Sequence, residues 1–300
     1  MMDIALTDSI LSFAIPAKHC RGRVVRLGPA LDEILAAHAY PPLIRDILAE
    51  AVCLTAMLGA LLKDEGSQLT LQAQTEAGVI SLLACDYKDG ALRGYVEFDR
   101  ERFASQPVAP SLMALFGKGY LAITFDLPEP RGRNQGIVPL EGGSLSEAVQ
   151  NYFFQSEQIP TLIRVAVDET AEGISAGGLL VQHLPGGEEG RERLHVQLDH
   201  PEWEHVEIMG STVTPAELTG TALPLEDILW RLFSESDEVM VLNGKPCVKG
   251  CRCNEDHIRD VIARFPKEDK DDMVDQDGNI AIDCAFCSKT FTISGASLNN

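Results

Sequence analysis

Strand-like apolar runs punctuated by turn residues over 68–75, 79–87 and 91–98, an alternating run over 120–126, and strand patterning over 161–167 and 174–183 predict six strands. Helical patterns cover residues 31–38 and 41–63, ahead of these strands, and 144–158, between the fourth and fifth. Leu43, Ile44, Ile47, Leu48, Ala51 and Val52 form the apolar stripe of the second helix, and Pro41-Pro42 open it. Proline costs no hydrogen bond in a first helical turn. Ser144 with Glu147 three residues on is the pattern of a capping box at the start of the third helix. Asp89-Gly90 marks a hairpin between two of the strands. Residues 21–27 alternate weakly and read either as a strand or as an extended entry. Strands joined by tight turns favour mostly antiparallel sheet with packed helices, an α+β fold, over a parallel doubly wound one.

The pattern breaks twice. Pro185-Gly-Gly-Glu-Glu-Gly190 interrupts it first, and Asn243-Gly244 opens the second boundary. Between them, Thr214-Pro-Ala-Glu217 is another capping box, and Leu225, Ile228, Leu229, Leu232 and Phe233 fall on one helical face. Such a stripe must cover apolar surface or stay adhesive, and a docked helical extension is the simpler expectation. The expected division is an N-terminal α+β domain over 1–186, an acidic helical linker over 187–244 and a small C-terminal zinc-binding domain over 245–300. Internal repeats and low-complexity segments are not seen in the sequence.

Charge changes this picture at one place. The net charge is −20, and residues 187–243 hold 13 acidic against 3 basic side chains, half of the total. Self-repulsion keeps such a segment soluble and loosens it. The overall sign disfavours nucleic acid as a partner. The longest apolar run, residues 51–62, is too short to span a bilayer, and the first residues lack a basic secretion-signal start. A cytoplasmic protein with reduced thiols is expected, where clustered cysteines mean metal or redox chemistry more often than structural disulfides.

Four of the eight cysteines arrive as Cys251-Arg-Cys253 and, thirty residues later, Cys284-Ala-Phe-Cys287. Two tight thiol pairs at this separation signal a four-sulfur zinc site, one Zn2+ per reduced chain, although a CxC half departs from the usual C-x(2–4)-C spacing. A tail of this size buries too little core to be secure and needs a staple. Zinc supplies one, with roughly 10–16 kcal/mol in small zinc peptides. Cys20, Cys53 and Cys85 lie in apolar surroundings and read as buried small hydrophobes, whereas Cys247, four residues before Cys251, competes as a fifth thiol. Other motifs fall away. Asp275-Gln-Asp277-Gly278 would place Met273 and Cys284 at the first and last positions of a calcium loop, so it reads as a turn into the second thiol pair. Phe116-Gly-Lys-Gly119 lacks Walker spacing, His200 and His205 are not one helical turn apart, and no GxSxG occurs. No catalytic residue is assigned, and the chain is read as a non-enzyme.

The CxC…CxxC tail resembles that of the redox-regulated heat-shock protein 33 chaperones. Gly117-Lys-Gly-Tyr-Leu121, Tyr152-Phe-Phe-Gln-Ser-Glu-Gln-Ile-Pro160, Ala176-Gly-Gly-Leu-Leu-Val-Gln182 and Leu229-Trp-Arg-Leu-Phe233 resemble family segments in the same order, so the likeness spans nearly the whole chain. Cys247 is a departure from the family's four-thiol pattern. The resemblance implies an ATP-independent holdase, with Cys251, Cys253, Cys284 and Cys287 as zinc ligands that keep it off when reduced. By the same resemblance, peroxide with heat or hypochlorous acid forms disulfides, zinc leaves, tail and linker unfold, and unfolding client proteins are bound, often by a homodimer.

The residues fit this independently: zinc thiolates are oxidisable, and their loss removes the tail's staple. Two other classes stand beside it. A zinc-ribbon interaction module for nucleic acid is opposed by 10 acidic against 7 basic residues from 246 onward. A thiol oxidoreductase would want its CxxC at a helix start. For the disulfides, loop entropy favours the local closures Cys251–Cys253 and Cys284–Cys287 once the pairs separate, and the resemblance points the same way. Cys247–Cys251 also closes a short loop, so the first of these pairings stays open.

Overall fold

The computed structural model describes residues 7–107, 109–184, 201–236 and 238–298; the predicted break at 185–190, His200 and the first part of the acidic segment lie outside them. In chain order the elements are β1 (Ser9–Ile15), β2 (Cys20–Leu27), α1 (Pro29–Leu35), α2 (Pro42–Gly59), β3 (Gln68–Glu76), β4 (Ile80–Lys88) and β5 (Ala91–Phe98). There follow α3 (Arg100–Ala104), α4 (Leu112–Phe116), β6 (Lys118–Asp126), β7 (Arg133–Pro139), α5 (Leu145–Tyr152), β8 (Thr161–Thr170) and β9 (Gly173–His183). The rest comprises α6 (Pro201–Ser211), α7 (Pro215–Thr219), α8 (Leu225–Phe233), β10 (Met240–Pro246), β11 (Val248–Lys249), α9 (Glu255–Ala263), α10 (Lys267–Met273), β12 (Asn279–Asp283) and β13 (Thr290–Ser294). The fold is α+β, as the pattern predicts.

Two antiparallel sheets, ordered β10-β1-β2-β9-β8 and β11-β5-β4-β3-β6-β7, enclose α2, with the short β11 alone running parallel to its neighbour. Every residue of α2 from Ala51 to Gly59 is buried, because the helix is covered by strands on two sides. The approach is close enough to need glycine on each sheet. A Cβ at Gly94 of β5 would lie 2.8 Å from Val52, and one at Gly178 of β9 would lie 2.7 Å from Met57. Here the amphipathic stripe read from the sequence widens to the whole helix circumference. Its regular turns end at Gly59, four residues before the predicted Lys63, and Leu61 and Leu62 continue it only through i→i−3 bonds.

The outer face of the five-stranded sheet carries a second core. Leu11, Phe13 and Ile15 of β1, Val24 of β2 and Leu179 and Val181 of β9 meet Trp203, Val206, Leu218 and the full α8 stripe of Leu225, Ile228, Leu229, Leu232 and Phe233. The acidic helices are therefore docked, each large apolar side chain contributing about 1.5–3 kcal/mol on full burial. The Thr214 capping box closes completely, with Thr214 Oγ1 accepting from Glu217 N–H and Glu217 accepting from Thr214 N–H. Arg26, fully buried in β2, donates to three carbonyls around the end of α7: Leu218 at 2.9 Å, Glu217 at 2.8 Å and Leu223 at 3.0 Å. A guanidinium at that depth is held by these acceptors, which also tie the linker to the sheet.

Four differences from the sequence pattern follow. β1 was not predicted although Leu11, Phe13 and Ile15 alternate with Ser12 and Ala14, because the alternation is short and Ile10, buried in the core around α2, interrupts it. β7 is an edge strand with only Val138 buried, which leaves almost no apolar signal. Asn243-Gly244, read as a boundary turn, lies within β10. The register there steps from Ile10↔Lys245 to Ser12↔Leu242, so two residues oppose Leu11 in a β-bulge. In α5, Glu147 completes only half of the predicted capping box: Ser144 Oγ accepts from Glu147 N–H, but the carboxylate reaches Gly143 N–H instead of that of Ser144.

Candidate metal and redox centre

The two thiol pairs come from different local structures. Cys251-Arg-Cys253 is an extended loop that follows β11, steadied where Gly250 N–H donates to Leu92 O at 2.7 Å. Cys284-Ala-Phe-Cys287 is the turn of the β12–β13 hairpin, closed by Cys287 N–H and Ser288 N–H to Cys284 O and by Cys284 N–H to Lys289 O. A hairpin turn presents both its sulfurs to one side. Asp275, whose carboxylate accepts from Asp277 and Asn279 N–H, makes the turn that leads into β12, as read from the sequence.

Cys251, Cys253, Cys284 and Cys287 converge, all four sulfurs lying within 4.8 Å of one another. Cys251 Sγ is 3.3 Å from Cys253 Sγ and 3.6 Å from Cys284 Sγ, and Cys253 Sγ is 3.4 Å from Cys287 Sγ. Zinc–sulfur bonds of 2.3 Å in a tetrahedron separate the sulfurs by about 3.8 Å, so the set fits a metal ion of this preference. All four thiols are partly exposed. Burial pushes the Cys251 thiol up, but the Cys253 N–H and the neighbouring thiols outweigh it and bring Cys251 down to about 7. Burial and the same neighbours push Cys253 and Cys284 up. One low thiol among raised ones is what a crowded cluster gives when the first negative charge discourages the next.

Cys247 does not join them. Its side chain is 2% exposed in the core around α2, its N–H donates to Asp8 O at 2.7 Å, and burial pushes its thiol up to about 12. Cys20, Cys53 and Cys85 are buried as predicted. The tail that carries the centre has a very small core of Ile262, Ile280 and Ile293.

Sequence reasoning missed the surface on which the centre sits. Ala285 O accepts from His38 Nε2 at 2.7 Å, and Ser288 Oγ donates to Ala37 O at 2.7 Å, both just after α1. Phe286 lies under the Arg93 guanidinium, 4.0 Å from its carbon, and edge-on to Tyr95. Arg252 Nη2 donates to Asp86 Oδ2 at 2.9 Å. Asp86 and Arg93 are directly opposed in the β4–β5 hairpin, a pairing that the predicted Asp89-Gly90 turn implies. Their link to Arg252 spans 166 residues and has no local signal.

Residues 8–294 match the family model described as Hsp33 protein. A 33 kDa chaperonin of Caulobacter vibrioides is 38% identical over 306 residues, covering 98% of either chain. That of Nitrosococcus oceani is 32% identical over 288 residues, with 95% of this chain and 90% of its own covered. The crystal structure of a 33 kDa chaperonin, a heat shock protein 33 homolog from Thermotoga maritima, superposes with a TM-score of 0.77 at 22% identity. It covers 97% of this chain and 96% of its own, so the fold is shared.

Proposed function

Since the chain belongs to the Hsp33 family, whose relatives bear chaperonin names, we propose that it is a redox-switched holdase working without ATP. Cys251, Cys253, Cys284 and Cys287 hold one Zn2+ in the reduced, inactive chain. Bound zinc supplies four metal–sulfur bonds that staple a tail whose own core is three isoleucines. Oxidation converts the thiolates pairwise to disulfides, Cys284–Cys287 and Cys251–Cys253, each pair passing two electrons to a peroxide that takes two protons from solvent and leaves as two waters. The ligand set is then gone.

The consequences run along the chain. Once the two knuckles change shape, Arg252, Ala285, Phe286 and Ser288 lose their partners on the larger body. The strap of β11 and β10 is next, and after it the helices that cover the outer face of the five-stranded sheet. Both the apolar face of α8 and the sheet beneath it then meet unfolding client proteins. The functional division is 1–186 as the retained body, 187–244 as the releasable linker and 245–300 as the switch. The oxidised form pairs as a homodimer, in the cytoplasm, and neither nucleic acid nor membrane is a partner. Among the described residues no helix is long and apolar enough to cross a membrane.

The observation that carries this reading is the convergence of four partly exposed thiols on a tail with almost no core of its own. Light scattering of a thermally aggregating client tests it, with zinc assayed in parallel. Oxidised, metal-free protein should suppress aggregation and reduced, zinc-bound protein should not. Equal suppression by both forms overturns the switch.

A further inference from the structure

Asp86 stands where the two knuckles are both held. Its Oδ2 accepts from Arg252 Nη2 at 2.9 Å and from Arg93 Nε at 2.6 Å, while Oδ1 accepts from the Thr70 hydroxyl at 2.7 Å. Arg252 is the single residue between Cys251 and Cys253. Arg93 covers Phe286, which lies between Cys284 and Cys287. One carboxylate, 5% exposed, thus ends a line of contacts into the middle of each thiol pair. We propose that Asp86 is a positioning residue for the thiol centre: it seats both knuckles on the β4–β5 hairpin and so limits their oxidation. The inference rests on the redox reading above.

The local structure makes such a residue necessary. The CxC segment belongs to no helix or strand, so its aim depends on side-chain anchors. Arg252 and Arg93 repel one another, and the shared carboxylate turns that repulsion into a common attachment. Arg252 Nη1 is buried with no hydrogen-bond partner among the described residues, which makes Asp86 the more important to keeping this guanidinium in place. Asp86 itself is no ligand, so the four sulfurs keep their capacity for metal when it is changed.

The test uses full-length reduced protein loaded with zinc, as wild type, Asp86→Asn, Asp86→Glu, Arg252→Gln and the Asp86→Asn/Arg252→Gln double variant. Zinc content, amide hydrogen exchange before oxidation and the rate of thiol loss at fixed peroxide are measured. Each thiolate pair gives two electrons to one peroxide, which takes two protons from solvent and becomes two waters. Asp86→Asn and Arg252→Gln should both retain one zinc per chain, lose exchange protection at Gly250 and residues 284–289, and keep it in β1, β2 and β9. Thiol loss should quicken about five-fold, as expected for an ion pair at the upper end of partly exposed ones. The double variant should be no faster than either single one, and Asp86→Glu should restore part of the protection.

Wild-type exchange and oxidation in both single variants would overturn the proposal, as would additive effects in the double variant. If Asp86→Asn does not fold, Arg252→Gln, on the more exposed partner, decides alone. Exchange in the reduced state is read before any oxidant is added. A protein that never switches on therefore defeats the redox reading without touching this result.

Discussion

Single residues set the order in which this molecule reacts. Cys247 and Cys251 are four positions apart, yet burial pushes the first up to about 12 while hydrogen bonds, against burial, bring the second down to about 7. With reduced protein near neutral pH, mass-mapped alkylation should leave Cys247 unmodified, and its labelling should begin only after oxidation. Labelling at the rate of a free peptide thiol would mean that the strap around Cys247 opens without a trigger. Cys284→Ser removes a proposed ligand and should weaken zinc retention and leave the tail partly disordered, read by chelator extraction and hydrogen exchange.

Glu217 gives a pH dependence. Burial alone would raise its carboxyl, but the Thr214 N–H, the Thr214 hydroxyl and Arg231 hold it below its ordinary value of 4.5. A carboxylate depressed in the folded state stabilises fully above its unfolded pKa and loses that contribution as pH falls through the lower, folded value. Docking of α7 should therefore weaken with acid below about pH 4.5. Thr214→Ala should cost about 0.5–2 kcal/mol of docking and flatten that dependence, checked by exchange in residues 201–236.

At the scale of elements, α8 is the piece whose release matters most. Five of its nine residues are buried against the sheet, the largest share of the cover that α6, α7 and α8 together form over that face. Ile228→Ala should cost about 2–5 kcal/mol, enough to shift α8 towards release while the thiols are still reduced. Partial suppression of client aggregation without oxidant is the expected readout, together with faster exchange in α6–α8. Full repression in a variant whose α8 has demonstrably lost protection would separate α8 release from client binding. The β12–β13 hairpin behaves differently. It pairs five residues with five but covers only a three-isoleucine core, so metal removal should melt it while β3–β6 stay protected.

The whole molecule is a large body with two enclosed sheets and a small module resting on its edge. Its parts differ widely in how much they bury. Oxidation or chelation should abolish exchange protection from residue 251 onward, reduce it in 201–236 and leave it intact in β2, β3, β4, β6 and β9. Uniform loss would describe denaturation, and uniform retention would remove any conformational switch. Beyond the β11–β5 pairing, the module meets the body through contacts that include Ala37, His38, Asp86, Arg93 and Tyr95.

The sequence alone determined what depends on short range. Strand patterning between turn residues yielded β3, β4, β5, β6, β8 and β9 and left β2 open, but did not yield β1, β7, the β10–β11 strap or the separate β12–β13 hairpin, since an apolar run between turn residues is a signal carried by neighbours in sequence. The CxC and CxxC pairs identified four thiols by spacing, because two sulfurs from one knuckle are neighbours in any fold that forms it. Tertiary structure decided what depends on which surfaces meet. It buried α2 on all sides from Ala51 to Gly59, set Ile10 of β1 in one core and Leu11, Phe13 and Ile15 in the other, and took Cys247 into the body's core although it lies beside the thiols in sequence. It also brought Asp86 under Arg252 across 166 residues. A carboxylate paired with its hairpin neighbour looks complete by itself; only the packing of module on sheet gives it a second arginine.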